Sequence, residues 1–525
     1  MTSTDAGSPP PDATTHRLVW GTASKYALLG INVTLGLVLM PFTVRHLGTA
    51  DYGLWMLVAS MTYYFQLFDL GYGSGLVRHL SEADGRGDLP RMNRIASTFV
   101  VVYAGLGLAA LAGIALLIAV VLPRFPGLEP EAVPKAQALL AIMGLRIAIG
   151  LPMTVFGAVS TCRQRFALNN TVAIVVALTN AGLTYLVLDA GYGLIALVSS
   201  TTTVSIAAYA AYAWTARRAF PELRLAPSAF TGSIVREVTA FSLYLFLIDI
   251  AVQLGFNLDN LVVGASMGTS AVAIYAVVLR LAEYQRLLSS QLNGLLFPVV
   301  VRFSATGRME ALRRTYLEST RIALTLVLGL TVCVVGFGGP LLRYWMGPTF
   351  ERGVVPLRIL AIAGVVLVAQ GPTGNVLLGT GRHRLVAFTS LGEAITNVAL
   401  SLVLVRVLGL TGVALGTALP VILANTLVLL PAACRALDLA PVTFLRQAAS
   451  APLIATVPAI AACALLRTFA PPATLMAVFV QGAVVGAIYL SAFIGLGLTP
   501  ELRARYLAYL RALQPGTIAP SGARS

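Results

Sequence analysis

The sequence predicts an all-α polytopic membrane protein of two parallel six-helix bundles plus two additional C-terminal helices, about fourteen transmembrane helices in all. Three observations lead there. Of the 525 residues, 57% are hydrophobic and only 11% charged, and the mean hydropathy is +0.84, a make-up foreign to soluble globular proteins. Apolar runs of about 20 residues recur along the chain, the length that a hydrocarbon core of roughly 30 Å asks of a helix. An internal repeat with a period near 220 residues supplies the third. No sustained period-2 alternation is present, which excludes a β-barrel.

Taken in order, residues 1–17 are rich in Ser, Thr and Pro and read as a disordered cytoplasmic tail, with no short apolar region and cleavage site to mark a removable signal peptide. Apolar runs broken by Arg, Gly and Pro clusters then place spans at 18–45, 51–77, 96–122, 136–160, 168–189 and 191–215. These form an N-terminal lobe over 18–216. A basic, Pro-containing stretch at 217–237 reads as a cytoplasmic linker. Spans at 238–265, 270–300, 321–339, 354–379, 385–406 and 412–433 build the C-terminal lobe over 238–434. A further pair at 450–467 and 474–496 lies outside the repeat, and 497–525 is a basic amphipathic tail suited to the inner leaflet.

Orientation follows from Lys and Arg. With the N-terminus inside, twenty-four of the 36 fall in cytoplasmic loops and tails and eight on the other side, so both termini are expected in the cytoplasm. The net charge of +15 is therefore a topology signal, spread over many short loops rather than gathered into a nucleic-acid-binding face. Cys162, Cys333, Cys434 and Cys463 form no CxxC and read as core thiols, with no metal site implied.

The repeat is legible directly. LGTADYGLWM at Leu47 matches MGTSAVAIYA at Met267, and RQRFALNNT at Arg163 matches RHRLVAFTS at Arg382. Each offset covers six spans, an even number, so the halves run in the same direction about an axis along the membrane normal.

Four basic residues fall within spans: Lys25, Arg146, Arg280 and Arg286. A charge near the bilayer centre costs on the order of 2.5–3.5 kcal/mol on insertion scales, so each asks for a cavity, a partner or a function. For an anionic substrate these four are the candidate binding residues, because guanidinium holds phosphate oxygens bidentately. Arg280, Glu283 and Arg286 form a slanting stripe on the eighth span, and two readings stand. Either the bases bind substrate, or Glu283 neutralises them within the helix.

Asp69, Asp249, Asp259 and Glu283 are candidate coupling or gating groups. Asp69, in FDLGYGSG, sits where glycines permit a hinge or close packing. Asp259, in NLDN, is placed to exchange a proton or bind a cation, or to make a hydrogen-bonded contact between the lobes. Glu393 reads as paired with a neighbouring helix. Tyr63, Tyr64, Gln66, Tyr244, Gln253, Tyr284, Gln291 and Asn293 suit sugar hydroxyls or ordinary interhelical hydrogen bonds. No nucleophile stands beside a base and no zinc motif occurs, so no enzyme is implied.

HLGTADYGLWMLVAS, FDLGYGSGLVRHLSEADGRGD, NLDNLVVGASMGTSAVAIYAVVLRL and TGNVLLGTGRHRLVAFTSLGEAITNVALSLVLV together resemble the Wzx-type polysaccharide flippases. These belong to the multidrug/oligosaccharidyl-lipid/polysaccharide exporter superfamily, with the MurJ-like lipid flippases and MATE exporters. The resemblance covers roughly 18–440. It implies two bundles around a hydrophilic cavity working by alternating access. It also implies an undecaprenyl-pyrophosphate-linked oligosaccharide moved from the cytoplasmic to the outer leaflet of a bacterial inner membrane, for surface polysaccharide biosynthesis. Coupling to H⁺ or Na⁺, as an antiporter, comes with it, and no other cofactor. Membrane lipids, a polysaccharide polymerase and a chain-length regulator are the implied partners. A MATE-like cation-coupled exporter of small organic molecules and a non-transporting scaffold of an assembly complex are the alternatives.

Overall fold

The computed structural model describes residues 11–163 and 166–498, and among them every regular element is helical. Eleven segments are long and apolar enough to cross a membrane. Helices are the expected outcome, since a chain without solvent water satisfies its backbone groups within the helix itself. The first segment, Ser24–Gly85, has 62 residues, enough for two crossings. The 36-residue α7 (Gly232–Met267) and the 37-residue α8 (Thr269–Ala305) are also longer than the roughly 20 residues that a crossing needs.

The first unit by packing runs to Val277 and takes in Ser401–Val413; the second holds Val278–Leu400 and continues from Ala414. The unit therefore changes within α8, and α7 belongs with the N-terminal helices.

Within the first unit, α1 (Pro11–Tyr63) is interrupted at Gly48, whose φ of 75° and ψ of 168° no helix tolerates. A short 3-10 turn, Tyr64–Asp69, follows, and left-handed residues at Leu70 (φ 52°) and Gly71 (φ 71°) separate it from α2 (Tyr72–Gly85). The expected second span thus breaks in its C-terminal half. The aromatic rings of Tyr72, on α2, and of Phe99 and Tyr103, on α3 (Leu89–Leu116), pack at 5.2–6.3 Å between centroids. With Leu76, Leu80 and Met92 they form a sealed core on which α4 (Val133–Cys162) closes through Val155 and Val159. Then come α5 (Phe166–Asp189) and α6 (Leu194–Ala219).

The connection from α6 to α7 is stitched to α3. Asn93 donates to the Glu222 carbonyl at 3.0 Å and accepts from the Arg224 amide at 2.9 Å, and Ser97 accepts from the Ala226 amide at 3.1 Å. Arg91 then pairs with Glu237 on α7 at 2.8 Å. These contacts meet backbone groups that a slack linker would leave to water.

In the second unit, α9 (Met309–Met346), α10 (Val354–Ala369), α11 (Gly371–Gly379), α12 (His383–Leu408), α13 (Leu410–Leu423), α14 (Leu430–Ala436) and α15 (Pro441–Phe444) follow in order, α12 and α13 lending Ser401–Val413 to the first unit. The added pair, α16 (Ser450–Phe469) and α17 (Leu475–Ala492), packs on α9 through Ala455, Ala459, Val485 and Tyr489. Its opposite face exposes Val457, Ile460, Phe469, Met476 and Phe479, as lipid contact requires. Three arginines counted as orientation signals also donate to backbone carbonyls: Arg313 to Leu437, the C-cap of α14, Arg321 to Gln447 in the π-helical turn before α16, and Arg382 to Ala432 within α14.

The repeat reappears as backbone geometry. Gly48 and Gly268 have nearly the same conformation, φ 75°, ψ 168° against φ 80°, ψ 176°. Gly87 and Gly307, with φ of 67° and 66°, and Gly127 and Gly347, with φ of 75° and 109°, recur at the same spacing. Only glycine enters such conformations without a Cβ penalty, so the motif-level match marks equivalent chain breaks. The repeat fails at one place. The turn Tyr64–Leu70 has no counterpart in α8, which stays helical through Ser290 and Gln291, the residues aligned with Leu70 and Gly71.

Candidate functional site

The break after Tyr63 creates the site. Asp69 ends the 3-10 turn, and its carboxylate holds the exposed start of α2, accepting from the Gly73 amide at 3.1 Å and from the Tyr103 hydroxyl at 2.5 Å. The acid therefore acts as the cap that Gly71, having no side chain, cannot provide. The unwound segment opens a cavity of about 460 Å³ lined by Gln66, Asp69, Arg146, Thr154, Tyr209 and Phe246, among others. Gly150 forms part of the wall because nothing larger fits; a Cβ there would lie 2.5 Å from the Tyr209 hydroxyl.

Arg146 is the base of this chamber. It projects from α4 half-buried, and no carboxylate among the described residues lies within ion-pair distance. Its own carbonyl accepts a long 3.4 Å hydrogen bond from Tyr209 of α6. A second cavity of about 670 Å³ shares Gly150, Thr154 and Tyr209 with the first, and Asn169 and Asn170 of α5 line it. Asn170 also donates to Ser24 of α1 at 2.8 Å, and the neighbouring Lys25 is exposed.

Two sequence candidates, Asp69 and Arg146, thus share one wall. Arg280, in the second unit, is bound to Glu283 at 2.7 Å and lies over the Tyr284 ring at 5.4 Å. Arg286 is half-buried on the same helix. The stripe therefore contains an internal salt bridge at its first two members. Because both side chains of that pair are partly exposed, at 43% and 36%, Glu283→Gln is expected to change stability by no more than about 1 kcal/mol. A near-unchanged melting temperature in detergent would agree, and a large drop would make the pair structural.

Asp259 is buried at 1% exposure and accepts from the Tyr275 hydroxyl at 2.9 Å, joining α7 to α8 within the first unit. Asn260 beside it donates to Ser60 at 3.0 Å. Glu393 accepts from Asn425 at 3.3 Å. The side chains of Asp249, Tyr244, Gln253, Gln291 and Asn293 lie outside the described residues. Among the described residues, no cluster of His, Cys, Asp and Glu is arranged to hold a metal ion.

Sequence reasoning passed over Thr154, Asn169, Tyr209 and Tyr212, because single polar residues in separate apolar spans carry no signal until α4, α5 and α6 meet. It also passed over Gln285, buried on α8 and donating to Thr331 at 2.6 Å and to the Ala361 carbonyl at 3.2 Å.

Residues 19–304 match the family model described as polysaccharide biosynthesis protein. The chain belongs to this polysaccharide biosynthesis family. EpsK of Bacillus subtilis (strain 168), an uncharacterized membrane protein, is 26% identical to it over 411 residues, 76% of this chain and 79% of its own. In fold, the family member resembles the lipid II flippase MurJ in an inward closed conformation, with a TM-score of 0.67 over 91% of this chain and 98% of that one at 15% identity. An inward-facing MATE family transporter of the MOP superfamily gives 0.64 over 77% and 95%, again at 15% identity. A MOP superfamily transporter from Pyrococcus furiosus, titled for the reverse polarity of its binding pocket, gives 0.60 over 81% and 97% at 15% identity. At such identities the likeness establishes the fold alone, that of a polytopic all-α membrane protein.

Proposed function

We propose that this protein is a flippase for an undecaprenyl-pyrophosphate-linked oligosaccharide, moving it from the cytoplasmic to the outer leaflet of a bacterial inner membrane for surface polysaccharide synthesis. The observation that carries the reading is Arg146, a guanidinium on the wall of a polar intramembrane chamber with no carboxylate within ion-pair distance among the described residues. A pyrophosphate supplies the missing anion, and guanidinium meets it with two parallel hydrogen bonds. The only acid among the described residues of that wall, Asp69, already takes two hydrogen bonds from the chain itself, which argues against a chamber for organic cations. Membership of a polysaccharide biosynthesis family supports the same substrate class.

Lys25, Arg280 and Arg286 are further phosphate contacts in this reading, both termini are cytoplasmic, and the two lobes work by alternating access. A polymerase and a chain-length regulator would receive the product. Transport of fluorescent polyprenyl-pyrophosphate-linked glycan across proteoliposomes tests the proposal directly: no flipping above protein-free vesicles would overturn it. In cells, Arg280→Ala and Lys25→Ala are expected to abolish glycan export while protein level and insertion stay intact, and normal export in both would sink the role of those two bases.

Coupling to H⁺ or Na⁺ is assigned in this proposal to Asp259, a buried carboxylate that accepts a hydrogen bond from the Tyr275 hydroxyl. Asp259→Asn is expected to remove the response of transport rate to an imposed gradient. If the variant responds to proton and sodium gradients as the parent does, that residue leaves the mechanism.

A further inference from the structure

The cavity between α4, α5 and α6 has a division of labour that the proposed function does not by itself require. The chamber beside the broken second span contains both charged wall residues, Arg146 and Asp69. The larger chamber adjoining it has none among the described residues: each of those lining it is apolar, glycine, hydroxyl or amide. Gly150, Thr154 and Tyr209 belong to both walls, so the two spaces meet along that line.

The neutral chamber presents amides and hydroxyls on one side and aromatic rings on another. Asn169 and Asn170 project from α5, Tyr209 and Tyr212 from α6, and Thr154 and Thr161 from α4. Thr161 donates to the Gly157 carbonyl at 2.8 Å and Thr154 to that of Gly150 at 3.4 Å, which leaves both hydroxyl oxygens able to accept. The Asn169 Oδ1 is buried and takes no hydrogen bond among the described residues. A buried amide oxygen without a donor costs free energy in the empty state, and a ligand hydroxyl relieves it. Its volume of about 670 Å³ lies in the range of small-molecule pockets, roughly 300–1,000 Å³.

We propose that this chamber is a saccharide subsite, taking a neutral pyranose of the glycan while the pyrophosphate lies against Arg146 in the adjoining chamber. A pyranose offers what the wall lacks: several hydroxyl donors for Asn169 Oδ1 and the threonines, and a C–H face for the tyrosine rings. An organic cation finds no carboxylate there, and an acyl chain would strand the amides. The inference rests on the flippase reading and adds to it that sugar, and not only phosphate, is bound within the N-terminal helices.

The test separates the two claims. The protein in lipid nanodiscs is titrated with bare undecaprenyl pyrophosphate and with the same lipid bearing one glucose, galactose or N-acetylglucosamine. The expected result is that at least one sugar tightens binding by about tenfold, the worth of one or two net hydrogen bonds. Asn169→Leu and Tyr212→Leu should remove that gain and leave affinity for the bare lipid unchanged. Arg146→Gln should weaken bare and glycosylated lipid alike. Asn169→Gln, which keeps an amide, serves as the milder variant if the leucine protein does not fold, and it should lose part of the gain. If none of the three sugars adds affinity, or if the Asn169 variants weaken the bare lipid equally, the saccharide subsite is overturned while the phosphate role of Arg146 stands. If Arg146→Gln binds bare lipid as the parent does, the phosphate reading fails instead.

Discussion

Replacing Arg146 with glutamine is expected to slow flipping of a pyrophosphate-linked glycan by about 100-fold and leave the fold intact. The magnitude follows from what is lost. Hydrogen bonds to a charged group are worth about 1.5–3 kcal/mol each, and a guanidinium makes two of them to one phosphate, although water recovers part of the loss in a wet chamber. Every 1.4 kcal/mol is a factor of ten. The fold should not suffer, because the Arg146 guanidinium has no carboxylate within ion-pair distance among the described residues, and a charge within an apolar span is itself costly to place there. Arg146→Lys should recover part of the rate, since an ammonium keeps the charge but not the planar fork. Flipping rate in proteoliposomes and melting temperature in detergent together check the expectation. A normal rate in Arg146→Gln would remove the residue from substrate binding, and a collapsed melting temperature would assign it a structural role.

The second large effect falls on stability. Gly127, between α3 and α4, has a φ of +75°, and a Cβ built there would lie 2.2 Å from the Gly264 carbonyl oxygen near the end of α7. Gly127→Ala meets both obstacles at once. The left-handed conformation costs about 1–2 kcal/mol for a residue with a Cβ, and forcing two backbones apart costs about 1–3 kcal/mol more. The expected loss is thus about 2–5 kcal/mol, seen as a marked drop in melting temperature. Gly347, its partner in the repeat, has a φ of +109° with nothing within 4 Å of a built Cβ. Gly347→Ala should therefore pay only the backbone cost and melt closer to the parent. A loss in Gly127→Ala of no more than the backbone cost of about 1–2 kcal/mol would show that the close approach at Gly264 contributes nothing.

The pair also shows what a repeat preserves. Positive-φ glycines recur at a fixed spacing because each ends one helix and begins the next, and a chain crossing a bilayer repeatedly needs those breaks wherever the halves correspond. Contacts around the breaks differ, since neighbours in the second copy have changed. The same divergence produced the site. Leu70, Gly71 and Gly73 allow the first copy to unwind, whereas Ser290, Gln291 and Asn293 continue the helix in the second.

What the sequence alone determined was the membrane-spanning class, the order of the apolar helices, the parallel repeat and the short roll of charges in apolar spans. Those properties are local: hydrophobicity over about 20 residues and matches between aligned segments need no knowledge of neighbours. Asp69 and Arg146 were recoverable for the same reason, because a charge in an apolar run stands out by itself. Tertiary structure alone decided which of the candidates meet. It set Arg280 against Glu283, sealed Asp259 under Tyr275, stitched the α6–α7 connection to α3, and brought Thr154, Asn169, Tyr209 and Tyr212 to one chamber. The physical reason is rotation. A helix places successive residues about 100° apart, so whether a polar side chain faces lipid, a neighbour or a cavity depends on how each span turns about its own axis, and that angle is set by packing between spans distant in sequence.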